Sequence, residues 1–355
     1  MSEWYFVLAP LALLAVLSLV RFVGCSSFTT APDVETAPGP TGQPVADYEG
    51  TVKKDVPVSY WRLQEKHAAE PSAGPTVPNT PVSGGTAIDT MSHNNGTYKA
   101  IKVQPPAPPP PPATPPFPLD TPSAPGTLAL EADGLLELTG QQSTSMSVDG
   151  GYVEVPFGLS LKLPSFSVEA LVRPGWNPTE TGLYRSVITF CSVDVTPGAP
   201  KAFGFGLFAG PDPGNPSGSD VWQIWLADGT TFKLMKDPIR SLTPVDFNHT
   251  NYVGVTYDDA TKKLNMYVYV PGIAMDLDSG VAHPLKDVTV AAYSPVSNAT
   301  QSLLIGMHRP PVAPGAPSPF PLYHPFKGRI QEVAIYGTAL PVDRMASHVL
   351  AGLNL

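Results

Sequence analysis

SVEALVRP, from Ser167 to Pro174, and FKGRIQEVAIYGTALP, from Phe326 to Pro341, are the two stretches of sequence that decide the fold. In the first, Val168, Ala170 and Val172 share one face, and this period of two predicts a strand with a buried face. The second stretch alternates less regularly, which predicts a β-bulge or a strand buried on both faces. Each stretch ends on a turn signal of glycine and proline.

Seven further runs have the same β-rich character and are separated by Gly, Pro, Asn and Asp turns. No convincing helical period lies between them, so the sequence predicts an all-β, two-sheet antiparallel sandwich or jelly roll. The runs are Thr144–Pro156, Arg185–Val193, Lys201–Gly210, Asp220–Gly229, Asn251–Asp259, Lys263–Val270 and Ser302–Met307.

The order of several segments resembles a known family. YWRLQE (Tyr60–Glu65), HNNGTY (His93–Tyr98) and VDGGYVEVP (Val148–Pro156) precede the two deciding stretches. Together they resemble the laminin-G-like jelly rolls of the concanavalin A-like lectin and glucanase superfamily. The resemblance implies one jelly-roll domain over residues 56–355. It leaves function open, because that superfamily includes lectins, adhesion modules, enzymes and structural domains.

The N-terminal segment predicts membrane attachment through residues 4–25. No charged residue lies between Trp4 and Val20, and a helix of this length rises about 26 Å, close to the ~30 Å hydrocarbon core of a bilayer. Two alternatives remain for residues 1–25. One is an uncleaved N-terminal membrane helix, and the other is a lipoprotein-type signal with a lipid anchor on Cys25.

Proline is concentrated in a few tracts among the 44 prolines of the chain. Such tracts favour an extended polyproline II conformation and cannot join a central strand. Residues 26–55 are therefore predicted to be a spacer between membrane and domain. Residues 104–126 follow a family-like segment and are predicted to be an insertion within the domain, either a semi-rigid surface loop or a docking strip for a partner protein.

The net charge of the chain limits its possible partners, and its two cysteines limit its possible disulfides. The formal net charge is −9 and no basic stripe is present, which excludes nucleic acid as a partner. If Cys25 is lipidated or lies in the membrane, Cys191 is left as a buried reduced thiol, and no disulfide stabilises the domain. The resemblance and the spacer favour a membrane-anchored domain outside the cytoplasm, periplasmic or at the cell surface.

No catalytic pattern emerges from the sequence. The acidic run EADGLLE contains Glu131, Asp133 and Glu137, but its spacing does not place two carboxylates as glycoside hydrolysis requires. Zinc-type spacings and serine nucleophile elbows are absent as well. Several histidines, among them His308 and His324, lie in or beside predicted turns and are expected to be solvated. The chain is predicted not to be an enzyme.

Calcium is the one cofactor that the resemblance implies, through side chains at the rim of the sandwich. The candidate ligands are Asp149, Glu332 and Asp89. Gln331 stands where many relatives carry Asp, and Asp149 before two glycines also fits an ordinary turn residue.

Tryptophans are the candidates for a sugar-stacking surface. Trp222 and Trp225 are three apart and therefore lie on opposite faces of a strand. Trp222 shares the more apolar face, so Trp225 is predicted to be the exposed residue that could stack on a ligand. Trp61 resembles the core tryptophan of the family and is predicted to pack inside.

Two functions of different classes follow from these observations. The first is a non-enzymatic, membrane-tethered interaction domain, which binds protein or forms an accessory subunit of a membrane or surface assembly. The alternative is a carbohydrate-binding, lectin-like surface or adhesion module that depends on calcium.

Overall fold

The computed structural model describes residues 47–64, 82–103, 128–130, 136–139, 141–142, 148–178, 180, 183–194, 201–212, 215–230, 239–270, 286–289, 293–297, 301–309 and 322–353. The strands are β1 (Ser59–Trp61), β2 (Val82–Ala87), β3 (Gly96–Val103), β4 (Leu128–Leu130), β5 (Leu136–Thr139), β6 (Gln141–Gln142), β7 (Val148–Val155), β8 (Phe166–Pro174), β9 (Arg185–Asp194), β10 (Lys201–Asp212), β11 (Asn215–Leu226), β12 (Ile239–Pro244), β13 (Asn251–Asp258), β14 (Lys263–Tyr269), β15 (Lys286–Thr289), β16 (Leu303–Ile305) and β17 (Lys327–Tyr336). The helices are α1 (Tyr48–Lys54) and α2 (Val342–Gly352), and a short 3-10 turn covers Leu159–Leu161.

The described strands form two antiparallel sheets. We call sheet A the one with the order β15-β14-β13-β8-β17-β5-β4, in which β1 also pairs with β17. Sheet B has the order β12-β11-β10-β9-β16-β7-β3-β2, with β6 paired to β7. The predicted two-sheet antiparallel sandwich is confirmed. Its assignment to the laminin-G-like jelly rolls stays a prediction.

The main core fills the space between the sheets. Phe166 on β8 stacks on Phe205 of β10, with ring centroids 4.7 Å apart, and this contact joins the two layers. Trp61 and Trp222 are buried in the same core, as the sequence predicts for both. Cys191 is a buried free thiol whose Sγ donates to the Phe205 carbonyl at 3.0 Å.

The two stretches that decide the fold form neighbouring strands at the centre of sheet A. Val168, Ala170 and Val172 of β8 point into the core, while the opposite face of β8 is also buried. Strand β17 contains the predicted irregularity, because its register with β8 shifts between Gln331 and Ala334. Glu332 adopts a φ of 54° at this point. The expectation of a bulge is confirmed.

A helical layer covers the outer face of sheet A, which the all-β prediction did not include. Helices α1 and α2 lie over a second apolar cluster that contains Val52, Tyr252, Met345 and Val349. Helix α1 falls within residues 26–55, the predicted spacer. Because Val52 is buried in this cluster, the folded domain begins earlier than predicted and the spacer prediction extends too far.

Other predictions fall on parts of the chain that the structure does not describe. These are the membrane segment over residues 4–25, the lipid anchor on Cys25, most of the spacer and the proline-rich insertion at 104–126. In the described ranges, neither helix combines the length and the apolar character needed to cross a membrane.

Candidate functional site

The outer face of sheet B carries the best candidate site. Along β10, Phe205, Leu207 and Ala209 point into the core, so Phe208 points outward. It pairs with Gln223 on one side and Ser186 on the other. We call the aromatic face the side chains gathered around Phe208, namely Tyr184, Phe208, Trp225, His308 and His324.

Trp225 lies on this face, as the alternation along β11 predicts. Trp222 is fully buried, whereas Trp225 is partly exposed. The Trp225 indole is held in place because its Nε1 donates to Gln223 Oε1 at 3.1 Å. Gln223 Nε2 in turn donates to the Pro211 carbonyl at 2.7 Å. That Trp225 stacks on a ligand stays a prediction.

Aromatic contacts and two glycines fix the rings around Trp225. The centroids of Tyr184 and Phe208 each lie 5.1 Å from that of Trp225, at interplanar angles of 77° and 47°. A Cβ on Gly206 would lie 2.5 Å from the Phe208 ring, and one on Gly210 would lie 2.3 Å from the Tyr184 ring. Glycine at both positions lets the rings rest directly on the backbone of β10.

Two histidines complete the aromatic face, and the expectation that they are solvated is wrong for His308. His308 is buried and His324 is partly exposed, with parallel rings 5.8 Å apart. The backbone of His308 pairs with that of Tyr323, which brings the two segments together. Burial, His324 and Arg309 lower the pKa of His308 well below its usual value, and burial and Arg185 lower the pKa of His324 to about 4. Both rings are therefore neutral at pH 7.

Two buried polar atoms beside these rings lack partners. Within the described part of the chain, neither Ser186 Oγ nor His308 Nδ1 has a hydrogen-bond partner. The Ser186 amide donates to the His324 carbonyl at 2.9 Å, so the hydroxyl belongs to the same cluster. Buried polar groups are nearly always paired, and an unpaired one costs about 1–3 kcal/mol. The aromatic face thus combines exposed ring surface with hydrogen-bonding capacity that the described protein does not use.

Asp89 serves the local backbone in this structure. Its carboxylate accepts hydrogen bonds from the amides of Tyr60, Met91, His93 and Asn94, at 2.8–3.2 Å. These bonds hold the turn that leads into β3. The side chain is fully buried.

Glu332 and Asp149 lie in other surroundings. Glu332 accepts from the Tyr60 hydroxyl, from Arg62 Nε at 3.3 Å and from Gln64 Nε2 at 2.8 Å. Asp149 lies on β7 opposite Lys102, and its side chain is outside the described part. Where side chains are described, no three His, Cys, Asp or Glu residues are grouped as metal ligands would be. A calcium site stays a prediction.

Comparison with known proteins adds general resemblances. No family model and no curated protein matches the chain. A Bacteroides ovatus ATCC 8483 protein with provisionally assigned carbohydrate binding is 19% identical over 60% of this chain and 46% of its own, with a TM-score of 0.34. The Ruminococcus gnavus sialidase CBM40 bound to α2,3-sialyllactose is 12% identical, and the match covers 52% of this chain and 82% of the CBM40 chain, with a TM-score of 0.32. The Trypanosoma rangeli sialidase is 12% identical, and the match covers 82% of this chain and 32% of the sialidase chain, with a TM-score of 0.39. This chain therefore spans less than half the length of the Bacteroides ovatus protein and of the Trypanosoma rangeli sialidase. Such low identities and TM-scores transfer no function to it.

Sequence reasoning found Trp225 but missed the residues around it. Tyr184 and Ser186 lie together at the start of β9, whereas His308 follows β16, and the two segments meet only in the folded sheet. The local signal that could have pointed to them is the Gly206-Leu207-Phe208 pattern of β10. A glycine two residues from an outward ring leaves space that the ring can occupy.

Proposed function

We propose that the aromatic face is a carbohydrate-binding site and that the domain binds its ligand without chemical conversion. The observation that carries the proposal is the pair of partly exposed, fixed rings at Trp225 and Tyr184 on the outer face of sheet B.

Sugar rings suit this combination of groups. A pyranose presents a face of C–H groups that can pack on an aromatic ring and a rim of hydroxyls that donate and accept hydrogen bonds. Binding sites of this kind are mostly apolar with a few placed polar groups.

The rigidity of the rings favours binding as well. Tyr184 and Trp225 are held by contacts within the protein, so little side-chain freedom is lost when a ligand covers them. Burying the exposed part of Trp225 contributes to affinity in proportion to the apolar area removed from water.

The proposal extends to location and cofactor. We propose that the domain is tethered to a membrane and lies outside the cytoplasm, on the strength of the uncharged stretch from Trp4 to Val20 and of Cys25. Calcium, which the family resemblance implies, stays part of the proposal, but Asp89 is engaged with four backbone amides and Asp149 and Glu332 lie on different sheets, so these three acids would not act together at one site. A calcium requirement predicts that a chelator abolishes binding.

The test is binding of the full-length chain to an immobilised glycan library, with and without calcium. Trp225→Ala should weaken binding to any positive glycan at least about tenfold, the effect of losing roughly 1.4 kcal/mol of contact energy. Trp225→Phe keeps a ring and should bind between wild type and Trp225→Ala. Leu159→Ala is the control, because Leu159 is an 81% exposed apolar side chain in the 3-10 turn and is not one of the five residues of the aromatic face.

Two results would overturn the proposal. One is that no glycan binds, and the other is that Trp225→Ala binds as well as the Leu159→Ala control. Fixed protein partners that co-purify with a chain lacking glycan binding would instead support the accessory-subunit hypothesis, which depends on residues 4–25.

A further inference from the structure

A second polar cluster lies on the opposite side of the domain, beneath the helical layer on sheet A. His348 of α2 is fully buried there. Its Nδ1 lies 3.0 Å from the carboxylate of Glu169 on β8, and its Nε2 lies 2.9 Å from Asp55 Oδ2, just after α1. The contact with Glu169 is a hydrogen bond, whereas the contact with Asp55 is an ion pair by distance without hydrogen-bond alignment. One imidazole therefore touches the sheet and the end of the other helix.

The position of two carboxylates decides the charge of the ring. A neutral imidazole has one N–H and one lone pair, so one carboxylate would face a lone pair. An imidazolium donates an N–H to Glu169 and places its positive charge beside Asp55. The geometry at His348 therefore requires the protonated form for both contacts to be favourable.

The groups around the ring also favour the protonated form of His348. Glu169 is fully buried and accepts from the hydroxyls of Tyr252 and Tyr336, which are neutral donors. Asp55 also accepts from Arg344 Nε at 2.9 Å. With His348 protonated, Glu169 and Asp55 are balanced by His348 and Arg344. Without that proton, one buried negative charge is left uncompensated, which is costly.

The titratable and charged groups that face His348 are Tyr48 of α1, Asp55 after α1, Glu169 of β8, Tyr252 of β13, Tyr336 of β17 and Arg344 of α2. The neighbouring Glu332 is paired with Arg62 and Tyr60 and does not contact the ring.

We propose that His348 is a protonation-dependent clasp, which holds helix α1 against α2 and sheet A when it is charged and releases α1 when it loses its proton. Helix α1 is the element through which the preceding chain enters the domain. The clasp therefore controls whether that entry segment is fixed to the sandwich or free to move away. This inference is independent of the carbohydrate proposal.

The direction of the pH effect follows from the environment of the ring. Burial acts to lower the pKa of His348, but Glu169 and Asp55 outweigh it, and the pKa in the folded protein is raised above its usual value. A group with a raised folded pKa contributes stability that is complete below its unfolded pKa, about 6.5 for histidine. That stability is lost as the pH rises through the folded pKa. Release of α1 is therefore an alkaline transition.

The test is hydrogen–deuterium exchange of the full chain from about pH 6 to pH 9, corrected for the intrinsic pH dependence of exchange. Peptides covering α1 should exchange at least about tenfold faster above the transition, while β13 stays protected as the internal reference. In His348→Gln, α1 should exchange rapidly at every pH. The control His249→Gln should keep the wild-type transition, because His249 is an exposed histidine paired with Asp246.

A transition that persists in His348→Gln would overturn the clasp, as would constant protection of α1 in wild type. If His348→Gln loses protection of β13 and so fails to fold, Asp55→Asn decides the question. That variant removes one carboxylate at the edge of the cluster, where the Asp55 side chain is 13% exposed. It should expose α1 at a lower pH than wild type, and an unchanged transition would contradict the proposal.

Discussion

Replacing Gly210 with alanine tests how the aromatic face is built. A Cβ at this position would lie 2.3 Å from Tyr184 Cδ1, 2.9 Å from Cε1 and 3.2 Å from Cγ. Ordinary carbon contacts are about 3.5–4.0 Å, so the Tyr184 ring would have to move by more than about 1 Å. The close atoms belong to the inner edge of the ring, so rotation of its far end cannot relieve the clash.

The expected loss can be worked from the contacts that the displacement breaks. Overpacking of this kind costs about 1–3 kcal/mol of unfolding free energy. Tyr184 also packs edge-on against Trp225 and His324, with centroids 5.1 and 5.5 Å away, and such aromatic pairs contribute about 0.5–1.5 kcal/mol each. We expect Gly210→Ala to lower the unfolding free energy by about 1–3 kcal/mol and glycan affinity about tenfold.

Gly337→Ala is the matched control. A Cβ on Gly337 would meet its nearest atoms, on Val58 and Leu163, at 3.5 and 3.6 Å, which is ordinary contact. Because alanine also restricts the unfolded chain, this variant should be neutral or more stable by about 0.4–1 kcal/mol. Both variants can be compared with wild type by chemical denaturation and by glycan titration on the same preparations. If Gly210→Ala unfolds and binds like Gly337→Ala, then Tyr184 does not rest on the backbone of β10 and the proposed face is wrong.

Three further predictions concern the core and the loops. Asp89→Ala leaves four backbone amides without their acceptor and should lower the unfolding free energy in chemical denaturation by about 2–4 kcal/mol. Asp89→Asn should lower it less. Equal stability of Asp89→Ala and wild type would contradict this role of Asp89. Phe166→Ala removes the ring that joins the two sheets and should lower the unfolding free energy by about 3–5 kcal/mol, measured as a lower denaturation midpoint at an unchanged slope. A loss below about 1 kcal/mol would show that the stack of Phe166 on Phe205 is not central to the core. Burial raises the pKa of Cys191 to about 12, so its peptide should stay unlabelled by a thiol reagent at pH 8 until denaturant is added; labelling of the native protein at that residue would show that the thiol is accessible.

The sheet architecture could be predicted because strands carry local signals. The alternation of Val168, Ala170 and Val172, and the irregular pattern around Gln331, are both visible within a few residues. The same period of two predicted that Trp222 is buried in the core and that Trp225 lies at the surface. These features depend on side-chain direction within one strand, which sequence patterns report directly.

The helical layer and most of the candidate site could not be predicted in this way. Helix α1 is short and lies in a segment whose prolines suggested an extended spacer, while α2 follows the last strand beyond the family-like segments. His348 and Glu169 meet only because α2 folds back onto β8. His308 and His324 lie beside turn-like residues in the sequence, and they meet because the backbones of two distant segments pair at His308 and Tyr323.

The central claim is that the outer face of sheet B binds sugar through Trp225, and the indole N–H resonances of the protein test it most directly. A glycan titration followed by ¹H–¹⁵N NMR should shift the Trp225 indole signal in a saturable manner. The buried indoles of Trp61 and Trp222 should stay in place, because their N–H groups bond to Asn94 and Asn251 inside the core. Saturable binding that leaves the Trp225 signal unmoved would contradict the account.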